Sequence, residues 1–393
     1  MFESIVLRKS EIGQNISAGH IAEALLYYQK VHLVLCPGTL IQLLKQIGIN
    51  STLSLLRRHD VSAVYCEETL GTKTEQLGVF QIHNYVAITL AGHKELEFPT
   101  TIDRLQYDLR RIGIEKTTAK HFSKAFLKIA PVRAFSGSHF IKAGVPKAAA
   151  EDLLDSEYAK KAARSIITST PGGYDPGETL KFKVIKSDLG LNVLTDINFE
   201  AINANRVKLG DLDPITASHL LTAIQDVRAD LVLAAHYGGD FITSKQNSDV
   251  VMLRHAELLR RANINQQSLQ QFKEIVLPDT PSLAEIIDSG QRTFDEFIRL
   301  LGKASKFKDW LKSTNPDEGL IREYLASANS VDWIQKTPTK TVRYLFSMGL
   351  DTTMPSASIP FGLFDNFIIE KLFAGWRPSH FVNKQLAQFS QTK

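Results

Sequence analysis

Cysteine is scarce in this chain, and its scarcity excludes several classes of protein. Only 2 of the 393 residues are cysteine. Two thiols cannot cross-link a chain of this length, and they cannot form the four-cysteine cage of a structural zinc site. The 11 histidines do not compensate, because no two of them have the i, i+4 spacing that builds a metal pair on a helix. The sequence therefore predicts reduced thiols, no metal and no cofactor.

Long apolar runs are also missing. No window approaches the ~18 uninterrupted apolar residues that a membrane span needs. The first residues, MFESIVLRKSEIG, lack the charged start and apolar core of a secretory signal peptide. The apolar content of 44% is that of an ordinary globular protein. We expect a cytoplasmic protein with no membrane partner.

Sequence motifs of common enzymes are absent as well. Gly302-Lys303 lacks the upstream glycine of a phosphate-binding P-loop. The chain contains no G-x-G-x-x-G, no G-x-S-x-G and no H-E-x-x-H. These absences leave open whether the protein is an enzyme.

The N-terminal part alternates between strand-like and helix-like segments. The pattern predicts strands over 4–9, 31–36 and 61–66, and helices over 17–29, 40–48 and 52–58. Segments 79–83 and 85–90 could form one more strand or a kinked pair. Such alternation favours a mixed, partly parallel sheet with helices packed on it. A mostly helical insertion is expected at about 101–168. After the break TPGGYDPGE, segments 180–186 and 192–198 predict a hairpin, which we assign to the edge of the same sheet.

The C-terminal part is almost entirely helical in pattern. Asp213-Pro214 is typical of a helix start, and Gly238-Gly239 of its end. Further helices are expected over 249–262, 266–275, 282–289, 293–302, 305–312, 317–327 and 337–348. The predicted fold class is thus α+β, with an α/β domain over 1–205 and a mostly α-helical domain over 210–393.

The carboxyl ends of the predicted strands are one candidate site, because ligands of open α/β sheets bind there. Cys36 ends one strand, and Pro37-Gly38-Thr39 then leads into a helix with Thr39 as its expected N-cap. A helix start offers free N–H groups to an anion. Glu67 follows the next strand, and His83 could reach the same edge as a general base. Cys36, Glu67 and His83 form the catalytic hypothesis; the alternative is that both cysteines and His83 are core residues.

A stripe of basic residues is the second candidate site. Residues 101–150 hold ten Lys or Arg against three acids, whereas the whole chain has a net charge of +4. Lys116, Lys120, Lys124 and Lys128 recur every four residues and so share one helical face, opposite Ala119, Phe122 and Phe126. Arg110 and Arg111 could extend it. The pattern is typical of a phosphate-binding surface, of a solvated face, or of a face that meets an acidic partner.

The segment FGLFDNFIIEKLF at 361–373 predicts a third feature, a helix that is apolar nearly all round. Such a helix is typical of a subunit contact. The expected interface residues are Phe364, Phe367, Ile369 and Trp376.

These observations lead to two functional hypotheses. The first is a non-catalytic cytoplasmic binding or assembly protein that recognises an anionic partner, either nucleic acid or a phosphorylated, nucleotide-like small ligand, as a homo-oligomer. The second is a hydrolase, phosphodiesterase or nuclease that acts at the strand-end crevice. Whether the chain is an enzyme stays open at this point.

Overall fold

The computed structural model describes residues 2–10, 15–89, 98–210, 213–241, 250, 269–270, 272–273, 281–313 and 381–390. The chain forms two compact units, Phe2–Asn263 and Ile264–Lys393. The division falls later than the boundary near 205–210 expected from the sequence. The reason is that the long helix after residue 216 packs on strands of the first unit.

A parallel sheet forms the first layer of the Phe2–Asn263 unit. Its strands are β1 (Ser4–Arg8), β2 (Lys30–Leu35), β3 (Val61–Tyr65) and the short β8 (Asp240–Phe241), in the order β3-β2-β1-β8. All three pairings are parallel. The buried strands carry Val, Ile and Leu in near-continuous runs, as expected for a sheet covered on both faces.

Two helices connect the first three strands. Helix α1 (Ala18–Tyr27) begins at a capping box in which Ser17 and His20 satisfy each other's backbone N–H groups. Helix α2 (Pro37–Leu56) is interrupted at Gly48, whose φ of 77° divides it into the two helices that the sequence predicts. The N-cap of α2 is Cys36, so the expectation that Thr39 caps this helix is wrong. Proline at the first helical position moves the start of the helix towards the strand.

A second, antiparallel sheet follows. It contains β4 (Glu68–Leu77), β5 (Phe80–Thr89), β6 (Phe182–Ser187) and β7 (Gly190–Thr195), in the order β4-β5-β7-β6. The β6–β7 hairpin was expected at the edge of the parallel sheet; that assignment is wrong, because β7 pairs with β5 at His83 and Leu191. Strand β4 was not expected at all, since its sequence ETLGTKTEQL is too polar to show a strand pattern.

Four helices lie between β5 and β6 along the chain, where the sequence predicts a helical insertion. They are α3 (Thr101–Arg111), α4 (Lys116–Ile129), α5 (Val145–Asp152) and α6 (Ser156–Ser169). After β7 come α7 (Phe199–Lys208) and α8 (Ala217–Tyr237). Helix α8 begins after Thr216, not at Asp213, and ends at Gly238 with a φ of 64°, as expected.

Helix α8 packs against both sheets, and almost all of its faces are buried as a result. Val232 and Leu233 pack with Val6 and Val34 of the parallel sheet. Towards its N-terminus, Leu221, Ile224 and Val227 share a second core with residues of α6, β6 and β7. The mixed α and β content and the α/β character of the N-terminal region confirm the predicted fold class.

In the described residues of the Ile264–Lys393 unit, all regular secondary structure is helical. Its longer segments are α9 (Leu283–Asp288), α10 (Phe294–Leu301), α11 (Ser305–Ser313), one π-helical turn (Val382–Leu386) and α12 (Ala387–Ser390). Phe307 packs against Trp310 and Phe381, with ring centroids 5.8 and 5.0 Å apart. The helices expected over 317–327, 337–348 and 361–373 lie outside the described residues, as does the helix expected over 249–262 apart from Val250. The same holds for the proposed interface residues Phe364, Phe367, Ile369 and Trp376.

In the part of the chain that the structure describes, none of the helices combines the length and the apolar character that crossing a membrane requires.

Candidate functional site

A small cavity lies at the carboxyl ends of β1, β2 and β3, where the sequence predicts a crevice. Its volume is about 40 Å³. It is lined by Arg8, Lys9, Val34, Cys36, Cys66, Glu68, Thr69 and Phe135. A space of this size holds a few water molecules but not a nucleotide.

The guanidinium of Arg8 is the central polar group on the β1 side of this cavity. It donates to the carboxylates of Asp226 (2.6 Å) and Asp230 (2.8 Å) on α8 and to the carbonyl of Asp226. Ser10 donates a short hydrogen bond to the other oxygen of Asp226. Burial disfavours the charge on Arg8, but the two aspartates more than offset this and raise its pKa above the ordinary value. Arg8 is thus a fixed cation that is already paired within the protein.

The β3 side of the cavity is also held in place. Glu68 accepts hydrogen bonds from the backbone N–H (2.8 Å) and the hydroxyl (2.5 Å) of Ser136. The guanidinium of Arg8 lies over the ring of Phe135, with its central carbon 5.8 Å from the centroid of that ring. Cys66 is buried, and this burial raises the pKa of its thiol to about 12.

Of the three residues in the catalytic hypothesis, only Cys36 lines the cavity. Glu67 forms a two-pronged ion pair with Arg104 of α3, at 2.7 and 3.1 Å, and accepts from Thr101. His83 lies within β5 of the antiparallel sheet, buried, with its Nδ1 2.8 Å from the Thr74 hydroxyl. Burial lowers the pKa of His83. Glu67 anchors a helix and His83 joins two strands.

Thr39, the proposed anion-binding residue of this crevice, faces inwards. Its side chain is 2% exposed, and its backbone N–H donates to the sulfur of Cys36 at 3.5 Å. The Thr39 hydroxyl lies 3.3 Å from the same sulfur. The helix start that the sequence offers to an anion is therefore occupied by the Cys36 side chain.

The second candidate site, the basic stripe, is formed by Lys116, Lys120, Lys124 and Lys128 on α4. All four side chains are exposed, and none forms an ion pair with a described residue. At a rise of 1.5 Å per residue the stripe extends about 18 Å along the helix axis. Four free ammonium groups at intervals of about 6 Å define a linear cationic surface.

The opposite face of α4 fixes the helix on the protein. Ala119, Phe122 and Phe126 are buried, as the sequence predicts. Phe122 stacks on Phe126, and Phe126 meets the ring of Tyr65 edge-on at 5.2 Å. The stripe is thereby attached to the last residue of β3 through a rigid aromatic contact.

Helix α3 and the turn between the helices bring two more cations to one end of the stripe. Arg110 and Arg111 are exposed at the end of α3, and Arg111 lies 5.9 Å from the ring centroid of Tyr107. The single acid of the turn, Glu115, caps α4. Hydrogen bonds from the Thr117 side chain and from the N–H groups of Thr117 and Thr118 lower the pKa of Glu115 to about 2.

The buried Arg8–Asp226–Asp230 cluster was not expected from the sequence. Two aspartates four residues apart on α8 carry no motif, and Arg8 ends an ordinary strand. Two acidic residues on a helix rich in buried apolar side chains were the available indication, because buried charges need partners.

Among the described residues, no three His, Cys, Asp or Glu side chains are grouped so that they could hold a metal ion. Comparison of the chain with protein-family models, with curated proteins and with solved structures finds no match.

Proposed function

We propose that this chain is a non-catalytic binding protein that recognises the phosphate backbone of nucleic acid through the basic stripe on α4. The observation that carries the proposal is the row of four exposed lysines that form no ion pair with any residue the structure describes. Like charges at i, i+4 destabilise a helix by a few tenths of a kcal/mol per pair. A phosphate backbone along the row would replace this repulsion by attraction and release counterions.

The geometry favours a polymer over a small phosphorylated ligand. The four lysines are spread over about 18 Å of one helix, and this extended spacing suits a row of phosphates. The strand-end cavity, at about 40 Å³, has no room for a nucleotide. No aromatic residue interrupts the lysine row, so stacking on single-stranded bases contributes little and duplex is the expected target.

The hydrolase hypothesis has less support. Its acid and base, Glu67 and His83, are engaged by Arg104 and Thr74 and do not line the cavity. The cytoplasmic location and the homo-oligomer stay predictions from the sequence, because the residues proposed for the interface lie outside the described part of the chain.

The test is a salt titration of DNA binding, measured by fluorescence anisotropy with a labelled duplex of mixed sequence. Four phosphate contacts predict a slope of log affinity against log salt of about −3.6. The double variant Lys120→Glu/Lys124→Glu should reduce the slope to about −1.8 and weaken binding at least ~30-fold at 0.15 M salt. The variant should fold normally, because both side chains point away from Phe122 and Phe126.

The matched control is Lys183→Glu/Lys186→Glu, which makes the same charge change at two exposed positions of β6. It should leave the slope unchanged. Equal losses in both double variants would mean that net charge and not the stripe determines binding. Absence of duplex binding by the wild type at low salt would refute the proposal, and a change of oligomeric state in the stripe variant would assign the stripe to a protein interface.

A further inference from the structure

The two cysteines of the chain lie side by side at the edge of the parallel sheet. The register of β2 and β3 pairs Leu35 with Tyr65, and the N–H of Cys66 donates to the carbonyl of Leu35 at 2.8 Å. The next residues in this register are Cys36 and Cys66. Cys36 keeps an extended backbone, with φ −93° and ψ 167°, so the pairing geometry continues up to it.

Pairing in a parallel sheet determines both the distance between paired residues and the face of the sheet to which their side chains point. Neighbouring strands are about 4.8 Å apart, and residues paired in register point to the same face. Cys36 and Cys66 both line the strand-end cavity, as this requires. A disulfide needs Cα atoms about 4.4–6.8 Å apart and side chains that converge. Continued by one residue beyond Leu35 and Tyr65, this register places the Cα atoms of Cys36 and Cys66 about 4.8 Å apart, which is within the disulfide range.

We propose that Cys36 and Cys66 form a reversible intramolecular disulfide, and that the pair is an oxidation site for hydrogen peroxide. The proposal concerns the parallel sheet and does not depend on nucleic-acid binding by α4.

The environments of the two sulfurs assign their roles. Cys36 is half-buried and stands at the start of α2, so it is the sulfur that peroxide can reach. Cys66 is 1% exposed, and its S–H group points to the carbonyl of Glu68 at 3.9 Å. An accessible thiol beside a shielded second thiol is the usual arrangement of a peroxide-sensing pair. Cys36 is oxidised first, and Cys66 then attacks the oxidised Cys36 sulfur.

The reaction balances in two steps. The Cys36 sulfur attacks one peroxide oxygen, so that an S–O bond forms, the O–O bond breaks and one water leaves; Cys36 becomes a sulfenic acid. The Cys66 sulfur then attacks the Cys36 sulfur, so that the S–S bond forms, the S–O bond breaks and a second water leaves. The two thiol protons end in the two waters. The two sulfurs together lose two electrons, and peroxide is reduced by two electrons.

The second step should limit the rate. A thiol pKa of about 12 leaves Cys66 about 10⁴-fold short of full ionisation at pH 8. Since the thiolate is the attacking form, disulfide formation from the sulfenic acid should accelerate about tenfold per pH unit between pH 7 and 9.

The test uses the full chain, fully reduced and then treated with hydrogen peroxide. Free thiols are blocked with iodoacetamide, and the protein is digested without reductant and analysed by mass spectrometry. We expect a peptide in which Cys36 is linked to Cys66 within one chain, which a dithiol reductant separates. Cys66→Ala should stop at the sulfenic acid, so dimedone added after the wild type has completed its disulfide should label Cys36 in the variant and not in the wild type. Cys36→Ala should leave Cys66 unmodified.

Three outcomes would overturn the proposal: a stable sulfenic acid on Cys36 in the wild type at pH 9, a disulfide between two chains, or two thiols that stay free under peroxide. The wild-type result decides the matter even if Cys66→Ala is unstable. In that case Cys66→Ser serves for the dimedone measurement, because it keeps the size of the buried side chain.

Discussion

Removal of the Arg8 side chain should strongly destabilise the Phe2–Asn263 unit. Arg8 donates five hydrogen bonds, at 2.6 to 3.2 Å, to Asp226, Asp230 and the carbonyl of Lys9. The side chains of Asp226 and Asp230 are 0% and 5% exposed, so water cannot replace the lost partner. Breaking a buried ion pair from one side costs about 3–5 kcal/mol. Because whole domains are stable by only about 5–15 kcal/mol, Arg8→Met should remove a large part of the stability of this unit.

The effect should depend on pH in a defined direction. Without Arg8, burial and mutual repulsion raise the pKa values of Asp226 and Asp230 above the unfolded value of about 3.9. The folded variant then binds more protons than its unfolded chain, so its stability falls as the pH rises. The deficit of Arg8→Met relative to wild type should therefore be smaller at pH 5 than at pH 7.

The assay must report on the correct unit. The tryptophans of the chain are Trp310, Trp333 and Trp376, so intrinsic tryptophan fluorescence follows the Ile264–Lys393 unit. Urea unfolding followed by circular dichroism, together with deuterium exchange of the α8 peptides, measures the unit that contains Arg8. Arg164→Met is the matched control. Its ion-pair partners Asp175 and Glu178 have 52% and 82% of their side chains exposed, so its loss should cost only a small fraction of the stability lost in Arg8→Met.

A triple variant separates charge from shape. Arg8→Met combined with Asp226→Leu and Asp230→Leu removes all three charges, and apolar replacement of a buried ionic cluster is often neutral or stabilising. We expect it to regain most of the loss caused by Arg8→Met. A deficit of Arg8→Met below about 1 kcal/mol, or a triple variant no more stable than the single one, would refute the reasoning.

Two further predictions concern a glycine and a histidine. Gly144 has a φ of 84°, and a Cβ there would lie 2.9 Å from the Phe135 carbonyl oxygen, so Gly144→Ala should lower the stability by about 2–4 kcal/mol in a thermal melt. The control Gly113→Ala has a φ of 88° but open space around the new Cβ, and it should cost only about 1–2 kcal/mol. Equal losses of stability in the two variants would contradict the clash at Gly144. Burial lowers the pKa of His83, so the folded chain binds fewer protons at this residue than the unfolded chain does. The neutral His83 ring therefore contributes stability above about pH 6.5, and this contribution is lost as the pH falls below that value. An NMR titration of the ring should give a pKa below 6.5, and a value at or above 6.5 would show that the ring is not desolvated.

The local patterns of the sequence determined most helices and the strands of the parallel sheet. Helix α4 is the clearest case, because lysines every four residues and the buried Phe122 and Phe126 define its two faces by helical geometry alone. The capping box at Ser17 and the left-handed Gly238 end are equally local, since each depends on residues within one turn. Burial of a strand on both faces likewise leaves a continuous apolar run that the sequence displays.

Pairing between distant segments was decided by the tertiary structure. The β6–β7 hairpin is local, but the strand beside it, β5, is about a hundred residues away, and several edges could have accepted it. The partners of the candidate site residues were likewise decided by the tertiary structure. Glu67 and His83 are 16 positions apart and could share a site, yet Arg104 and Thr74 are their partners in the fold.

The cavity and its two sulfurs show most plainly which features are local in the sequence and which depend on the tertiary structure. The sequence alone places Cys36 and Cys66 each at the end of a buried strand. The parallel register of β2 and β3 brings them to neighbouring positions, and α8 supplies Asp226 and Asp230 to Arg8 from more than 200 residues away. The apolar periodicity and the capping of helices are set by the backbone geometry of a few consecutive residues. The register between strands and the pairing of buried charges depend instead on which surfaces the whole chain can bury together.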